Sequence, residues 1–242
     1  MAPRTYVLVH GAWHGGWCWA RVAPLLVAAG HRVVAPTLTG LGDRAHLFSA
    51  SVDLATHVRD VLAAIDCDEP PGRLIAVAHS YAGNLMAGVA DALRDRIDHY
   101  VYLDAVVPPD GVARWSWSDF ATPALAQARE QDIATRGAGV ALPPPASADA
   151  FGIVDPADAA WVMRRLRPMP AGCWRGSIEL PNGGARGLRR RYVAATAPAY
   201  APVAPVVARV RQDPEWTVTT IDAGHDMMVT APAALARVLL DA

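Results

Sequence analysis

The chain has 242 residues, a length that fits one α/β domain with an insertion, and its 52% hydrophobic content is enough for a sizeable core. Its 22 basic and 23 acidic residues nearly cancel, which argues against nucleic acid or an anionic membrane as partner. Every basic residue is arginine, and a chain without lysine can run neither Schiff-base chemistry nor a phosphate loop built on lysine. Cys18, Cys67 and Cys173 are far apart and odd in number, so they read as free thiols in a reducing compartment. No apolar run reaches the ~18 residues of a membrane span. The opening MAPRTYVLVHG has too short an apolar stretch for a signal peptide, so a cytoplasmic protein is expected.

In chain order, residues 5–10 (TYVLVH) read as a buried strand and 17–29 as a helix stopped by Gly30. Residues 31–35 (HRVVA) are the second strand, followed by the loop PTLTGLGDRAH. Asp53 is placed to cap a helix reaching about residue 65. A third strand over 73–78, a helix over 81–94 and a fourth strand over 97–103 continue the alternation. Such a rhythm predicts a parallel sheet covered on both faces. It breaks between residues 108 and 187, where helical pieces at 123–136 and 155–167 lie among many prolines. That stretch reads as a cap or lid insertion in a core made of 1–107 and 188–242. Strands at 190–195 and 216–221, with helices near 202–211 and 231–240, complete a six-stranded, mainly parallel sheet.

Ligands of open parallel sheets bind outside the carboxyl ends of the strands, so the residues after each strand are the candidates for chemistry. They are His10 to Trp17 (HGAWHGGW) after the first strand, His79-Ser80-Tyr81 after the third, Asp104 after the fourth and Gly224-His225-Asp226 after the sixth. The chain order Ser, Asp, His is that expected of an α/β-hydrolase. A serine hydroxyl needs an adjacent base, histidine suits that task near neutrality, and a carboxylate fixes the imidazole tautomer. Ser80, His225 and Asp104 are thus the catalytic candidates, with the Ala12 and Tyr81 N–H groups as a candidate oxyanion hole. The plainer reading of Ser80 is a helix-capping serine, and alanines 78 and 82 stand where the G-x-S-x-G motif has glycine. Asp104 is the acid by elimination. The segment 193–213 holds no earlier acid than Asp213, and Asp222 and Asp226 are awkwardly close to His225. A Ser–His pair served by water or a carbonyl remains the fallback. His10 and His14 have ligand spacing only on a helix, which GAWHGG is not, so no metal is expected.

The stretches VLVHGAWHGGWCW, APTLTGLGDRAH, AHSYAG, VYLDAVVP and GHDMMVTAP together resemble the bacterial relatives of the plant methylesterases and hydroxynitrile lyases. The resemblance implies a cofactor-free α/β-hydrolase fold with a small, mostly helical cap over an ester-sized pocket. Lyases of that family resemble one another in a threonine and a lysine at the positions of Gly11 and Asp226, which disfavours cyanohydrin chemistry here. The expected activity is that of a serine carboxylesterase acting on an aryl or alkyl ester or a lactone; a polyketide-like ester and a non-catalytic receptor on the same fold are the rivals. Trp13, Trp115 and Trp117 are the candidate substrate-binding residues. Arg164, Arg165 and Arg167 could hold a substrate carboxylate, though a solvated helix face is the plainer reading. The expected partner is a small-molecule ester, and a homodimer is compatible with the sequence.

Overall fold

The computed structural model describes residues 3–242. In chain order its strands are β1 (Thr5–Val9), β2 (Arg32–Val34), β3 (Leu74–His79), β4 (Ile97–Leu103), β5 (Arg114–Ser116), β6 (Ala141–Leu142), β7 (Met169–Pro170), β8 (Ser177–Glu179), β9 (Arg190–Ala195) and β10 (Trp216–Ile221). Six of them form one sheet in the order β10-β9-β4-β3-β1-β2, every neighbouring pair parallel. Burial explains the strand sequences. β1 and β3 are buried at every position and β4 at all but Asp98, which is why they read as unbroken apolar runs. The edge strands β2 and β10 are partly exposed and correspondingly more polar.

Right-handed crossovers place the flanking helices. The chain moves one way from β1 to β2 and the other way from β3 to β4, so Ala23–Ala28 and Ala82–Ala92 fall on opposite faces. Helix Pro232–Leu240 packs with the former and Leu54–Asp68 with the latter. Asp53 caps Leu54–Asp68 reciprocally with Thr56, as its position in the sequence suggests. The direction of winding reverses between β1 and β3, and a crevice opens at their carboxyl ends.

Two predicted helices are shorter than expected. Residues 17–29 split into a 3-10 turn, Gly16–Trp19, and a helix, Ala23–Ala28. Pro24 has no N–H to give a continuous helix and its ring would crowd the preceding turn, so the helix restarts with the proline in its first turn. The 155–167 helix ends at Met163 because the chain turns away and the Arg167 N–H donates to the Trp13 carbonyl. Between β4 and β9 two short antiparallel pairs, β5–β8 and β6–β7, were invisible to a periodicity reading because they are only two or three residues long. This segment lies over the strand-end loops. Trp13 Nε1 donates to the Leu142 carbonyl, Trp115 Nε1 to Asn84 Oδ1, and the Asp226 N–H to the Phe151 carbonyl. Among the described residues no helix is long and apolar enough to cross a membrane.

Candidate active site

Register brings the candidate residues together. His79 pairs with Leu103 and Leu103 with Val193, so the next residues, Ser80 and Asp104, leave adjacent strands at the same level. Both turn sharply, Ser80 with φ 54° and Asp104 with φ 44°, a left-handed conformation that non-glycine residues adopt only when their surroundings impose it. For Ser80 the turn is pinned by its own N–H donating to the Leu103 carbonyl and by its carbonyl accepting from the Gly83 and Val106 N–H groups. It is therefore not the cap of the following helix, whose N-cap is Tyr81 and which has no side-chain cap. Asp104 donates its N–H to the Val193 carbonyl and accepts the Ala195 N–H on Oδ1 at 3.2 Å. Its Oδ2 lies 2.7 Å from His225 Nδ1, and His225 Nε2 lies 2.9 Å from Ser80 Oγ. Asp104 and His225 are both buried, while Ser80 keeps some accessible surface.

The close backbone approach that glycine usually serves in this turn has moved one residue along. A Cβ added at Gly83 would sit 1.8 Å from the Val106 carbonyl oxygen, an overlap no rotamer relieves. Alanines 78 and 82 are accommodated, buried, in β3 and at the helix start. Gly83→Ala is accordingly expected to cost roughly 1–3 kcal/mol or more of stability, read as a lowered midpoint in urea unfolding at unchanged slope. An unshifted midpoint would mean that the turn has room for a methyl group at position 83.

The loop after β1 is held from both sides by histidines. His10 is buried and its pKa is pulled down to about 3, chiefly by burial, so it is neutral; its Nδ1 donates to the Gly11 carbonyl and its Nε2 accepts from the Leu38 N–H. Because a trans peptide points its C=O and N–H oppositely, anchoring the Gly11 carbonyl turns the Ala12 N–H the other way. Gly11 backs directly onto the serine, since a Cβ there would lie 3.0 Å from Ser80 Cβ. Neither the Ala12 nor the Tyr81 N–H donates to any described residue. His14 bonds the Ala12 carbonyl through Nδ1 at 2.7 Å and Asp226 Oδ2 through Nε2 at 2.9 Å. Burial opposes charge on both partners, yet each holds the other ionised: Asp226 raises the His14 pKa and His14 lowers that of Asp226. This ion pair ties the β1 loop to the His225 loop. In the sequence Asp226 stands out as a neighbour of His225 and as the residue in place of the lyase lysine, and nothing there points to His14 as its partner.

The family model described as "Alpha/beta hydrolase family" matches residues 6–238. The chain belongs to the α/β-hydrolase family. It is 39% identical over 239 residues to a carbendazim hydrolyzing esterase of Nocardioides sp. (strain SG-4G), an alignment covering 97% of this chain and 98% of that protein. It is 34% identical to methylesterase 2 of Arabidopsis thaliana over 113 residues, which covers 43% of this chain and 40% of the relative. Among solved structures, an extracellular α/β-hydrolase from a Paenibacillus species superposes with a TM-score of 0.83 at 22% identity, covering 99% of both chains. The Arabidopsis methylesterase MES16 superposes with a TM-score of 0.73 at 23% identity over 98% of both. The resemblance to the plant methylesterases therefore holds, and the chain is a hydrolase of the carboxylesterase type.

Around the candidate triad the hydrolase is walled by aromatic rings. Tyr200 stacks on the His225 imidazole, centroids 3.7 Å apart, and Phe151 lies parallel to it at 6.5 Å. Neither had a sequence signal, because Phe151 ends a one-turn 3-10 helix, Ala148–Phe151, and Tyr200 precedes another, Ala201–Val203, both too short to show periodicity. Gly224 lets the His225 loop meet residue 152, whose carbonyl oxygen would be 2.5 Å from any Cβ there. Of the three predicted pocket tryptophans, Trp13 packs on Phe151 and Trp117 on Tyr81. Trp115 is instead bound to Asn84 of helix Ala82–Ala92 and joins neither group. The Tyr81 ring is buried with its hydroxyl 3.0 Å from His57 Nδ1. His79, His225 and Asp226 bring one ligand atom each within 4.8 Å; His79 Nε2 meets the His225 carbonyl, both His225 nitrogens meet Ser80 and Asp104, and Asp226 Oδ2 meets His14, while His79 Nδ1 and Asp226 Oδ1 are buried without a hydrogen bond.

Proposed function

We propose that this hydrolase cleaves a carboxylic ester, an aryl or alkyl ester or a lactone, through an acyl-enzyme on Ser80. The observation that carries the reading is the unbroken hydrogen-bond chain Asp104–His225–Ser80, at 2.7 and 2.9 Å. His225 Nε2 takes the hydroxyl proton as Ser80 Oγ attacks the ester carbonyl, and the resulting imidazolium is stabilised by Asp104 across Nδ1–H. The Ala12 and Tyr81 N–H groups hold the oxyanion. As the tetrahedral intermediate collapses, His225 returns the proton to the departing alcohol. Water then repeats the sequence on the acyl-enzyme and frees the acid. Residues 108–187 act as the cap of the pocket. The aromatic walls and the esterase relatives support an ester with apolar bulk.

Hydroxynitrile lyase chemistry is disfavoured, because a side chain at position 11 would strike His79 Nδ1 at 2.8 Å and position 226 supplies a carboxylate already paired with His14. Intact-mass and peptide mass spectrometry after acid quench of a p-nitrophenyl acetate reaction is the direct test. An acetyl group on the Ser80 peptide is expected. Acetylation elsewhere, or hydrolysis without any adduct under burst conditions, rejects the mechanism, and no turnover of any ester would leave the receptor reading.

A further inference from the structure

Arg129, on helix Pro123–Thr135, has its guanidinium among three indoles. The guanidinium carbon lies 4.7 Å from the Trp117 ring centroid, 5.2 Å from that of Trp174 and 5.6 Å from that of Trp13. Such contacts stabilise a cation, but they supply no hydrogen-bond acceptor. Among the described residues the guanidinium has no hydrogen-bond or ion-pair partner, and its Nε is fully buried and unsatisfied. The neighbouring acids are already engaged, Glu130 with Trp174 Nε1 and Arg175, and Asp132 with Arg136. Burial pulls the Arg129 pKa below its ordinary value. Arginine nevertheless stays charged at neutral pH, so the protein holds a half-buried cation with no carboxylate paired to it among the described residues.

The position of that cation ties it to the candidate triad. Trp13 follows Ala12 in the β1 loop and packs on Phe151, which lies parallel to His225. Trp117 packs on Tyr81, the residue after Ser80, at 4.8 Å. Tyr200, stacked on His225, is close enough for the Arg129 charge to lower its phenol pKa against the upward push of burial. Arg164 and Arg167, by contrast, are exposed, and Arg165 lies over Trp161.

We propose that Arg129 is the anion-binding residue of the substrate pocket, and that the ester this hydrolase takes carries a carboxylate. The guanidinium fork would bind the carboxylate through two parallel N–H donors, while the indoles hold the guanidinium in place. This rests on the esterase reading for its kinetic consequence but not for its binding consequence, so two arms separate them.

The kinetic arm compares 4-acetoxybenzoate with 4-acetoxytoluene, and monoethyl adipate with ethyl hexanoate, which place the charge on the alcohol and acyl sides respectively. For one of these pairs the wild type is expected to favour the charged ester in kcat/KM by about tenfold or more, mainly through KM, as a charge-assisted hydrogen bond supplies. Arg129→Met is expected to remove that preference and Arg129→Lys to restore part of it. The binding arm titrates benzoate and benzamide into Ser80→Ala and follows fluorescence of the surrounding tryptophans. Benzoate is expected to bind more tightly, and adding Arg129→Met to abolish the difference. Equal binding of benzoate and benzamide, or a difference that survives Arg129→Met, overturns the proposal whether or not any ester is cleaved. Cleavage of neutral esters alone, with equal binding, overturns the Arg129 assignment and leaves the esterase reading standing.

Discussion

Replacing Ser80 by alanine is expected to lower kcat on p-nitrophenyl acetate by about a millionfold, to little above the rate supplied by the oxyanion donors alone. The substitution removes one atom. The N–H to Leu103 and the carbonyl that accepts from Gly83 and Val106 are backbone groups and stay in place. Alanine keeps the Cβ that Gly11 packs against. The positive φ of 54° is imposed by those bonds, so the turn survives, and thermal melts of variant and parent should nearly coincide. Lost are the nucleophile and the partner of His225 Nε2, 2.9 Å away. Steady-state rates and the pre-steady-state burst both report on this. A variant within tenfold of the parent, with its burst intact, would remove Ser80 from the mechanism.

Asp104→Asn is expected to cost about 10⁴-fold in kcat with the fold intact, through the tautomer of His225. Asp104 receives two donors, Ala195 N–H on Oδ1 and His225 Nδ1–H on Oδ2. An asparagine must offer its oxygen to one of them. Ala195 N–H is a backbone donor in a buried strand end and cannot reorient, so the amide oxygen stays with it and the amide NH₂ faces His225. Nδ1 must then accept, the ring proton moves to Nε2, and Nε2 can no longer take a proton from Ser80. Kinetics on the same ester, with circular dichroism as a control on folding, test this. Turnover within tenfold of the parent would move the orienting acid elsewhere. Asp226 is a poor substitute, since its carboxylate is committed to His14 at 2.9 Å.

The strands β4, β9 and β10 have the bounds their sequence implies, because short buried or half-buried runs rich in β-branched and aromatic residues carry their own signal. Helix ends were less legible. The break before Pro24 had a local cause that could have been read, whereas the early end after Met163 depends on a bond from Arg167 to Trp13, which no local pattern announces. At the candidate site the two alanines around Ser80 looked like departures from a glycine motif. The glycine that matters for close approach is Gly83, and it is recognised only once the Val106 carbonyl is seen beside it.

Local patterning thus sufficed for the parallel sheet, the order of the residues at its strand ends and the type of chemistry those residues can perform. These follow from hydrophobic periodicity and from side-chain chemistry, both of which are properties of short segments. Three things depended on the folded chain. Asp104 meets His225 across 121 positions, His14 neutralises Asp226 across 212, and Arg129 stands unpaired among three tryptophans from separate elements. Hydrogen bonding and charge pairing act over a few ångströms in space whatever the distance along the chain. Which partner each of these groups has, or lacks, is therefore set by strand register and by how residues 108–187 lie over the loops.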